Sequence, residues 1–240
     1  MRPDDILHRE RQLAGSPFRR FVQSVAGQAL SSPVVFRLHT ELLMHRDHRV
    51  LEIGCAAGSR LLALDNAVRF ERSACGVEPS PRLARRAERA FMANRRPITT
   101  VLADPSHLPF ADGVFDMAIC GDLLRFLDVR AAQAALREAA RVLKPGALLL
   151  AWELAPADGR FAWWQRFWLR GYPGRIASEK SLMSLAERSG FAFAREAALR
   201  PFIWPPIPRA SFIAATLAPG WRLEGSNLIP PSTEHQTRDG

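Results

Sequence analysis

The stretch from Val50 to Gly58 contains residue types whose spacing could bind a nucleotide-like ligand. It reads as a buried strand that runs into a turn of small residues, and a helix is predicted to follow over 59–67. Backbone N–H groups at the N-terminus of such a helix bind anions, and small side chains let a ligand approach the backbone closely. The next predicted strand, 74–77, ends on Glu78, whose carboxylate could accept hydrogen bonds from both hydroxyls of a ribose. Turn and acid together predict a site for a nucleoside cofactor.

The glycine spacing of this turn argues against a dinucleotide-binding fold. That fold requires glycine at the first, third and sixth positions of the turn. Here Gly54 meets the first requirement, Ala56 and Ser59 do not meet the others, and glycine returns at the fifth position as Gly58. Together with Glu52, the pattern resembles the first motif of class I S-adenosylmethionine-dependent methyltransferases, which is an acid–x–Gly–x–Gly–x–Gly run. Ala56 stands where that motif has its middle glycine.

The resemblance continues over roughly residues 48–218. Segments similar to the later motifs of the family occur in the family's order and spacing. They are Ala103-Asp104-Pro105, Leu108-Pro109-Phe110, Phe115–Ile119 and Arg141–Ala147. The subgroup that the chain most resembles methylates small molecules, including quinones, sterols and related lipids. The resemblance implies S-adenosylmethionine as the cofactor, methyl transfer to a small, largely apolar acceptor, and an α/β Rossmann-like fold.

Hydrophobic periodicity and turn residues predict the elements that would position these motifs. Strands are predicted at 49–53, 74–77, 99–102, 115–119, 147–153, near 191–198 and at 211–217, and helices at 59–67, 81–93, 131–143 and 178–189. Their alternation indicates a mostly parallel seven-stranded sheet with helices on both faces, in which the first six strands run parallel. The expected parts are an N-terminal helical cap at 1–47, a methyltransferase domain at 48–221 with an aromatic insertion at 154–177, and a flexible tail at 222–240.

The resemblance also implies which residues contact the cofactor. Glu52 would lie near its methionine part, Glu78 would bind the ribose, and Asp104 would accept from the adenine amine. The full expected set is Glu52, Gly54, Cys55, Ala56, Gly58, Glu78, Pro79, Asp104, Pro105, Cys120 and Gly121. Each acid has an ordinary structural alternative. Glu52 could cap the following helix, Glu78 could favour a helix N-terminus electrostatically, and Asp104 could form a common Asp-Pro turn.

The catalytic residues are not identified by the sequence. The family often places a histidine just past the fourth strand, but Leu123-Leu124-Arg125-Phe126 stands there. Arg125 could hold an acidic group of the acceptor or lower its pKa, and it could equally be a surface arginine. His107 lies nearest the predicted site, in a loop where a solvated histidine is common. Arg125 and His107 are therefore weak catalytic candidates.

Aromatic residues after the fifth and sixth strands are candidates for binding the acceptor. The expected substrate-binding residues are Arg125, Trp163, Trp164, Phe167, Trp168 and Trp204. At helical spacing the aromatic residues of the insertion occupy two faces, of which one could pack on the sheet and the other could line a pocket. The alternative is that both faces are core. Nearby arginines at 160, 166 and 170 could meet anionic lipid headgroups at a peripheral membrane contact.

Composition and motifs narrow the functional classes of protein that remain possible. The net charge of +9 fits an anionic partner, but no basic run reads as a nucleic-acid arm, and no Asn-Pro-Pro-Tyr-like motif follows the fourth strand. An RNA methyltransferase is therefore disfavoured. The three cysteines have no metal-ligand spacing, so no metal site is expected. Unpaired core cysteines and the lack of a signal-like or membrane-spanning stretch predict a cytoplasmic protein. A catalytically silent binding or assembly protein with this fold stays open.

Overall fold

The computed structural model describes residues 44–155, 178–197 and 209–218, with Ile6, Glu10 and 162–163, and the backbone of 222–224 and 227–229. The strands in these ranges are β1 Val50–Ile53, β2 Ala74–Glu78, β3 Ile98–Leu102, β4 Phe115–Gly121, β5 Leu143–Leu154, β6 Phe193–Glu196, β7 Arg209–Ala215, β8 Arg222–Glu224 and β9 Asn227–Ile229. The helices are α1 Ser59–Val68, α2 Pro81–Ala93, α3 Val129–Val142 and α4 Glu179–Glu187, with a 3-10 turn at Leu124–Phe126.

The seven main strands form one sheet in the order β3-β2-β1-β4-β5-β7-β6. Adjacent strands from β3 to β5 pair in parallel. β7 is antiparallel to both β5 and β6, so β6 runs in the same direction as the first five strands. The prediction of a mostly parallel seven-stranded sheet is confirmed. The parallel order also brings the carboxyl ends of β1, β2 and β4 together at one edge, where ligands bind in folds of this kind.

Helices cover both faces of the sheet. Leu61 of α1 and Phe91 of α2 belong to the hydrophobic cluster on one face, and Leu136 of α3 and Leu182 of α4 belong to the cluster on the other. Along β5 the side chains alternate between these clusters, as the period of two in a strand requires. Buried strand residues on both sides fit a parallel sheet wrapped by helices.

Two element boundaries differ from the prediction for local reasons. Helix α3 begins two residues early because the Asp128 carboxylate caps it, accepting from Ala131 N at 2.8 Å. Strand β5 begins at Leu143 rather than 147, because Leu143 pairs with Phe115 before an irregularity. Lys144-Pro145-Gly146 lies at that irregularity, and Gly146 has φ 79°.

The expected tail contains regular structure that the sequence reading missed. Arg222–Glu224 pairs with Asn227–Ile229 as an antiparallel hairpin, so a wholly flexible tail is the wrong description for these six residues.

The N-terminal cap and the aromatic insertion fall mostly outside the described residues. Of the cap, Ile6 and Glu10 are helical, and the Glu10 carboxylate accepts a hydrogen bond from the Ser80 hydroxyl. The N-terminal segment therefore reaches the end of β2. Among the helices the structure describes, none combines the length and apolar character needed to cross a membrane.

Candidate functional site

The turn between β1 and α1 is fixed to the end of β2. The Val77 carbonyl accepts hydrogen bonds from Gly54 N at 2.8 Å and from Cys55 N at 3.0 Å. Gly54, Ala56 and Gly58 all have positive φ, at 79°, 52° and 78°. Ala56 thus adopts the left-handed conformation that glycine adopts without strain, at a cost of about 1–2 kcal/mol for a residue with a Cβ. This conformation gives a physical reason for glycine at the middle of the motif.

Gly58 is required by helix packing. A Cβ built on Gly58 would lie 2.5 Å from two ring atoms of Phe91 in α2. The missing side chain therefore lets α1 and α2 approach each other closely. Gly58 was predicted to contact the cofactor, and close packing against Phe91 is a second, independent reason for glycine at this position.

The N-terminus of α1 presents its first-turn amides at the carboxyl edge of the sheet. Its N-cap residue, Gly58, makes no side-chain capping bond, and the first turn contains no acidic residue. The first N–H groups of a helix have no intrahelical acceptor, so this end favours an anionic or strongly accepting group.

Glu78 is fully buried beside this turn. Its Oε2 accepts from Ala56 N at 2.8 Å, and its Oε1 accepts from Ser80 N at 3.1 Å. The carboxylate thus connects the turn to the start of α2, where the Ser80 hydroxyl caps the helix by accepting from Leu83 N. Glu78 has a structural function at the position where the ribose acid was predicted.

Asp104 lies in a tight turn after β3. Its Oδ1 accepts from Ser106 N at 2.9 Å and from Ser106 Oγ at 2.7 Å, so the Asp-Pro turn considered in the sequence analysis is present. Pro105 is buried within it. His107 is exposed, with Nδ1 3.2 Å from Ser106 Oγ. The adenine contact of Asp104 stays a prediction.

A row of alternating charges crosses the carboxyl edge from β1 to β5. Glu52 is fully buried, and its Oε1 lies 2.7 Å from Arg60 Nη1. Arg60 Nη2 lies 3.5 Å from Asp122 Oδ2, and Asp122 Oδ1 lies 3.5 Å from Arg125 Nη1. Arg125 Nε lies 4.0 Å from Glu153 Oε2. The buried Glu52 therefore has the partner that its burial requires.

The row includes three residues that were not predicted as site residues, Arg60, Asp122 and Glu153. Arg60 is the second residue of α1, so the turn returns it to the strand that carries Glu52. This proximity could have been inferred from the turn. Glu153 gave a weaker signal, since it is one acid at the end of an apolar strand.

Arg125 is buried, so its interpretation as a surface arginine is wrong. Its guanidinium lies 4.7 Å from the centre of the Phe126 ring. The 3-10 turn after β4 directs the side chain back to Asp122, which has φ 57°. Asp122 N donates to the Trp152 carbonyl at 3.0 Å, and this bond fixes the turn to β5.

Glu153 lies at the β5 end of the row and is buried. Burial raises the pKa of its carboxyl to about 7, the Arg125 charge opposes this rise, and the Asp122 charge adds to it. Its Oε1 accepts from Leu124 N at 2.6 Å. A buried carboxyl with a pKa near neutrality can exist in either protonation state at physiological pH.

Trp152 covers the end of β4. It pairs in register with Gly121, and a Cβ on Gly121 would lie 2.3 Å from the indole ring. Arg60 lies over the same ring, 4.6 Å from its centre. The indole therefore occupies the space beside Gly121 that any larger residue would fill. Cys120, the residue before Gly121 in β4, is buried, and Cys55 and Cys75 are buried too. All three cysteines have free thiols.

The predicted acceptor-binding aromatics are described only in part. Trp163 is helical and 61% exposed. The remaining members of that set lie outside the described residues and are Trp164, Phe167, Trp168 and Trp204.

A family model described as a methyltransferase domain matches residues 50–146. The match runs from β1 into β5 and includes the turn, Glu78, Asp104 and Arg125. Residues 50–146 are therefore similar to a methyltransferase domain.

Curated relatives of the chain are named for different acceptors. Protein-L-isoaspartate O-methyltransferase 2 of Rhodopseudomonas palustris is 33% identical over 160 residues, which is 65% of each chain. Demethylmenaquinone methyltransferase of Mycolicibacterium paratuberculosis is 40% identical over 84 residues, covering 34% of this chain and 35% of that protein. The chain spans between 35% and 65% of the length of the first curated relatives that it matches.

Solved structures share the fold. A S-adenosylmethionine-dependent methyltransferase of Methanosarcina mazei superposes with a TM-score of 0.61 at 22% identity, covering 75% of this chain and 97% of that one. The (4+2)-cyclase SpnF superposes with a TM-score of 0.63 at 18% identity, covering 80% and 82%. The fold of the chain is therefore shared with proteins named for different reactions, so the fold alone does not determine the activity.

Proposed function

We propose that the chain binds S-adenosylmethionine at the carboxyl edge of β1, β2 and β4 and transfers its methyl group to a small, largely apolar acceptor. The observation that carries this proposal is the Gly54–Gly58 turn. It lies inside the matched methyltransferase domain, and β2 holds it so that it leads into a helix N-terminus without a side-chain cap. Two buried acids, Glu52 and Glu78, flank it. This edge combines acceptors for hydroxyl and ammonium groups with donors for anionic groups.

Each acid has a proposed role that follows from its position. Glu78 accepts from the ribose hydroxyls, because it ends β2, the strand next to the turn, and a carboxylate can accept from two neighbouring hydroxyls. Asp104 accepts from the adenine amine, and Glu52 faces the amino-acid part. The proposed backbone and packing contacts are Gly54, Cys55, Ala56, Gly58, Pro79, Pro105, Cys120 and Gly121. The bound cofactor supplies a sulfonium-activated methyl group, and the chain positions the acceptor and excludes water.

The charge row supports a cationic ligand. Its three carboxylates outnumber its two guanidinium groups, so the row is net negative when every group is ionised. S-adenosylmethionine has a net positive charge, whereas its demethylated product is neutral. Attraction in a partly buried site therefore favours the cofactor over the product.

An apolar acceptor is supported by the aromatic insertion. Trp163 leaves 61% of its surface exposed, and it belongs to a segment of the sequence that is rich in aromatic residues. The proposed acceptor site comprises Arg125, Trp163, Trp164, Phe167, Trp168 and Trp204. Arg125 contributes to this site by holding the carboxyl ends of β4 and β5 in position, because it is buried between Asp122 and Glu153. His107 has no proposed catalytic role because it is exposed.

Calorimetry with S-adenosylmethionine and S-adenosylhomocysteine tests the cofactor proposal. Binding of neither ligand by the folded protein would contradict it and support the silent alternative. Transfer of a labelled methyl group is then measured with a prenylated quinone, an isoaspartyl peptide and a structured RNA as acceptors. Only the quinone is expected to be methylated, and labelling of the peptide or the RNA instead would contradict the proposed acceptor class.

The variant Trp163→Ala with Phe167→Ala tests the acceptor surface separately. It is expected to lower acceptor use, or binding to anionic vesicles, and to leave cofactor affinity unchanged. Loss of a cooperative melt would show that these side chains are core, whereas normal folding with full acceptor use would contradict their proposed role.

A further inference from the structure

We propose that Trp152 Nε1–H and the Arg60 guanidinium together bind the α-carboxylate of the cofactor's amino-acid part. This inference rests on the proposed function, because it assigns residues to one end of the same ligand. Neither residue belongs to the motif run of β1 and its turn. The two come together through the packing of α1 against the ends of β4 and β5.

The first observation is an unpartnered buried donor. Trp152 is 1% exposed, and its Nε1 has no hydrogen-bond partner in the part of the chain that the structure describes. Indole N–H can only donate, so the missing partner must be an acceptor. Buried polar groups are nearly always hydrogen-bonded, and an exception needs an explanation such as a ligand.

The second observation is where that donor lies. A Cβ built on Gly121 would lie 2.8 Å from Trp152 Nε1, so the N–H lies directly beside the last residue of β4. Position 121 must be glycine for the indole to lie there. The carboxyl edge beside β1 is the place where the turn and Glu52 are proposed to meet the cofactor.

The third observation is the cation over the same ring. The Arg60 guanidinium lies 4.6 Å from the Trp152 ring centre, and its side chain is 18% exposed. A guanidinium has five N–H donors, and the ion pairs with Glu52 and Asp122 use only some of them. Arg60 and Trp152 therefore present donors at one place, and one of them is charged.

The neighbouring carboxylates restrict which acceptor fits. Glu52 and Asp122 would repel a multiply charged anion such as phosphate. A carboxylate that brings its own ammonium group does not meet this barrier, because the ammonium can pair with Glu52. An α-amino acid zwitterion has this charge pattern.

Calorimetry with two ligands isolates the carboxylate contact. The ligands are S-adenosylhomocysteine and its decarboxylated analogue, which keeps the nucleoside, the thioether and the amine. Trp152→Phe keeps an aromatic ring and removes the indole N–H. Arg60→Lys keeps the positive charge and removes the planar guanidinium group with its several N–H donors. Each variant is expected to bind S-adenosylhomocysteine about tenfold more weakly, in the range for a hydrogen bond to a charged group. Each is expected to bind the decarboxylated analogue within about twofold of the wild type.

The control is Arg82→Lys on the exposed side of α2, which is expected to leave both affinities unchanged. In the wild type, the ¹⁵N–¹H signal of the Trp152 indole, assigned by its loss in Trp152→Phe, should shift on adding S-adenosylhomocysteine. The decarboxylated analogue should leave that signal near its unliganded position.

Three outcomes would overturn the inference in different ways. Equal losses for both ligands would show a packing effect, and no loss for either would show no contact. Failure of the wild type to bind S-adenosylhomocysteine would instead refute the proposed function. If Trp152→Phe does not fold, the Arg60→Lys comparison decides alone, since Arg60 is partly exposed on a helix.

Discussion

At the scale of single residues, Ala56 shows why the glycine pattern of the turn could be read only in part. The sequence marked Ala56 as a departure from the motif, but it could not show that the position has φ 52°. The turn keeps its shape because Ala56 N donates to Glu78, and Gly54 and Cys55 donate to Val77. A strained residue can persist where its surroundings fix it from several sides.

Ala56→Gly is expected to stabilise the fold slightly. Removing the Cβ relieves about 1–2 kcal/mol of left-handed strain, and the added freedom of glycine in the unfolded chain offsets about half or more of it. The expected gain is therefore at most about 1 kcal/mol in urea unfolding, with a modest change in S-adenosylmethionine affinity. A variant that binds the cofactor when the wild type does not would show that alanine here had silenced the site.

Glu153 makes the stability of the fold depend on pH near neutrality. Its folded pKa of about 7 lies above its ordinary value of 4.5, so the folded state binds more protons than the unfolded state between these values. The stability contributed by the protonated form is therefore lost as pH rises through this window. Glu153→Gln keeps an acceptor for Leu124 N and cannot ionise.

The measurement is the difference in unfolding free energy between the wild type and Glu153→Gln at about pH 5 and about pH 8. The wild type is expected to lose stability relative to the variant at the higher pH. Other titrating groups contribute equally to both proteins and cancel in the difference. A difference that is the same at both pH values would contradict the raised pKa.

At the scale of elements, the sequence predicted most helices and strands well because their signals are local. The helix predicted at 81–93 is confirmed as α2 at Pro81–Ala93, where Ser80 caps the helix and Pro81 is its first residue. The start of α3 was missed because Asp128 was not recognised as its cap. The pairing of Arg60 with Asp122 instead depends on how α1 meets the end of β4, which no local pattern states.

The contact between α1 and α2 gives a prediction at this scale. Gly58→Ala places a methyl group 2.5 Å from the Phe91 ring, at a residue with φ 78°. We expect a loss of about 2–4 kcal/mol in unfolding free energy, combining overpacking with left-handed strain. In a Phe91→Leu background, the smaller side chain should recover the overpacking part and leave the strain. Equal losses in both backgrounds would contradict the packing explanation.

At the scale of the whole molecule, the site is part of what holds the sheet together. Glu78 connects the turn after β1 to the start of α2, and Asp122 connects the end of β4 to β5. The shared direction of β1 to β6 could be predicted from their alternation with helices, whereas the order of the strands in the sheet comes from the structure. The row of charged residues across the carboxyl edge could not be predicted, because it depends on side-chain directions at four separate chain segments.

Binding and folding should therefore be coupled, and Glu78 should affect both. A ligand at about 100 times its dissociation constant stabilises the folded state by about 2.7 kcal/mol, which corresponds to a rise of roughly 5–10 °C in melting temperature for a domain of this size. Glu78→Ala is expected to lower the melting temperature of the ligand-free protein, because it leaves Ala56 N and Ser80 N without their acceptor. It should also reduce S-adenosylmethionine affinity by about 1–3 kcal/mol.

Asp116→Ala provides the matched control, because Asp116 performs a similar structural function near the amino end of β4, away from the carboxyl edge. Its carboxylate accepts from Arg49 N at 2.8 Å and pairs with Lys144 Nζ at 2.5 Å, near the start of β4. Both variants should destabilise the ligand-free protein, but only Glu78→Ala should lose most of the melting-temperature rise caused by S-adenosylmethionine. If both variants keep the full rise, Glu78 stabilises the turn without binding the cofactor. If both lose it, general destabilisation explains the effect and the ribose assignment fails.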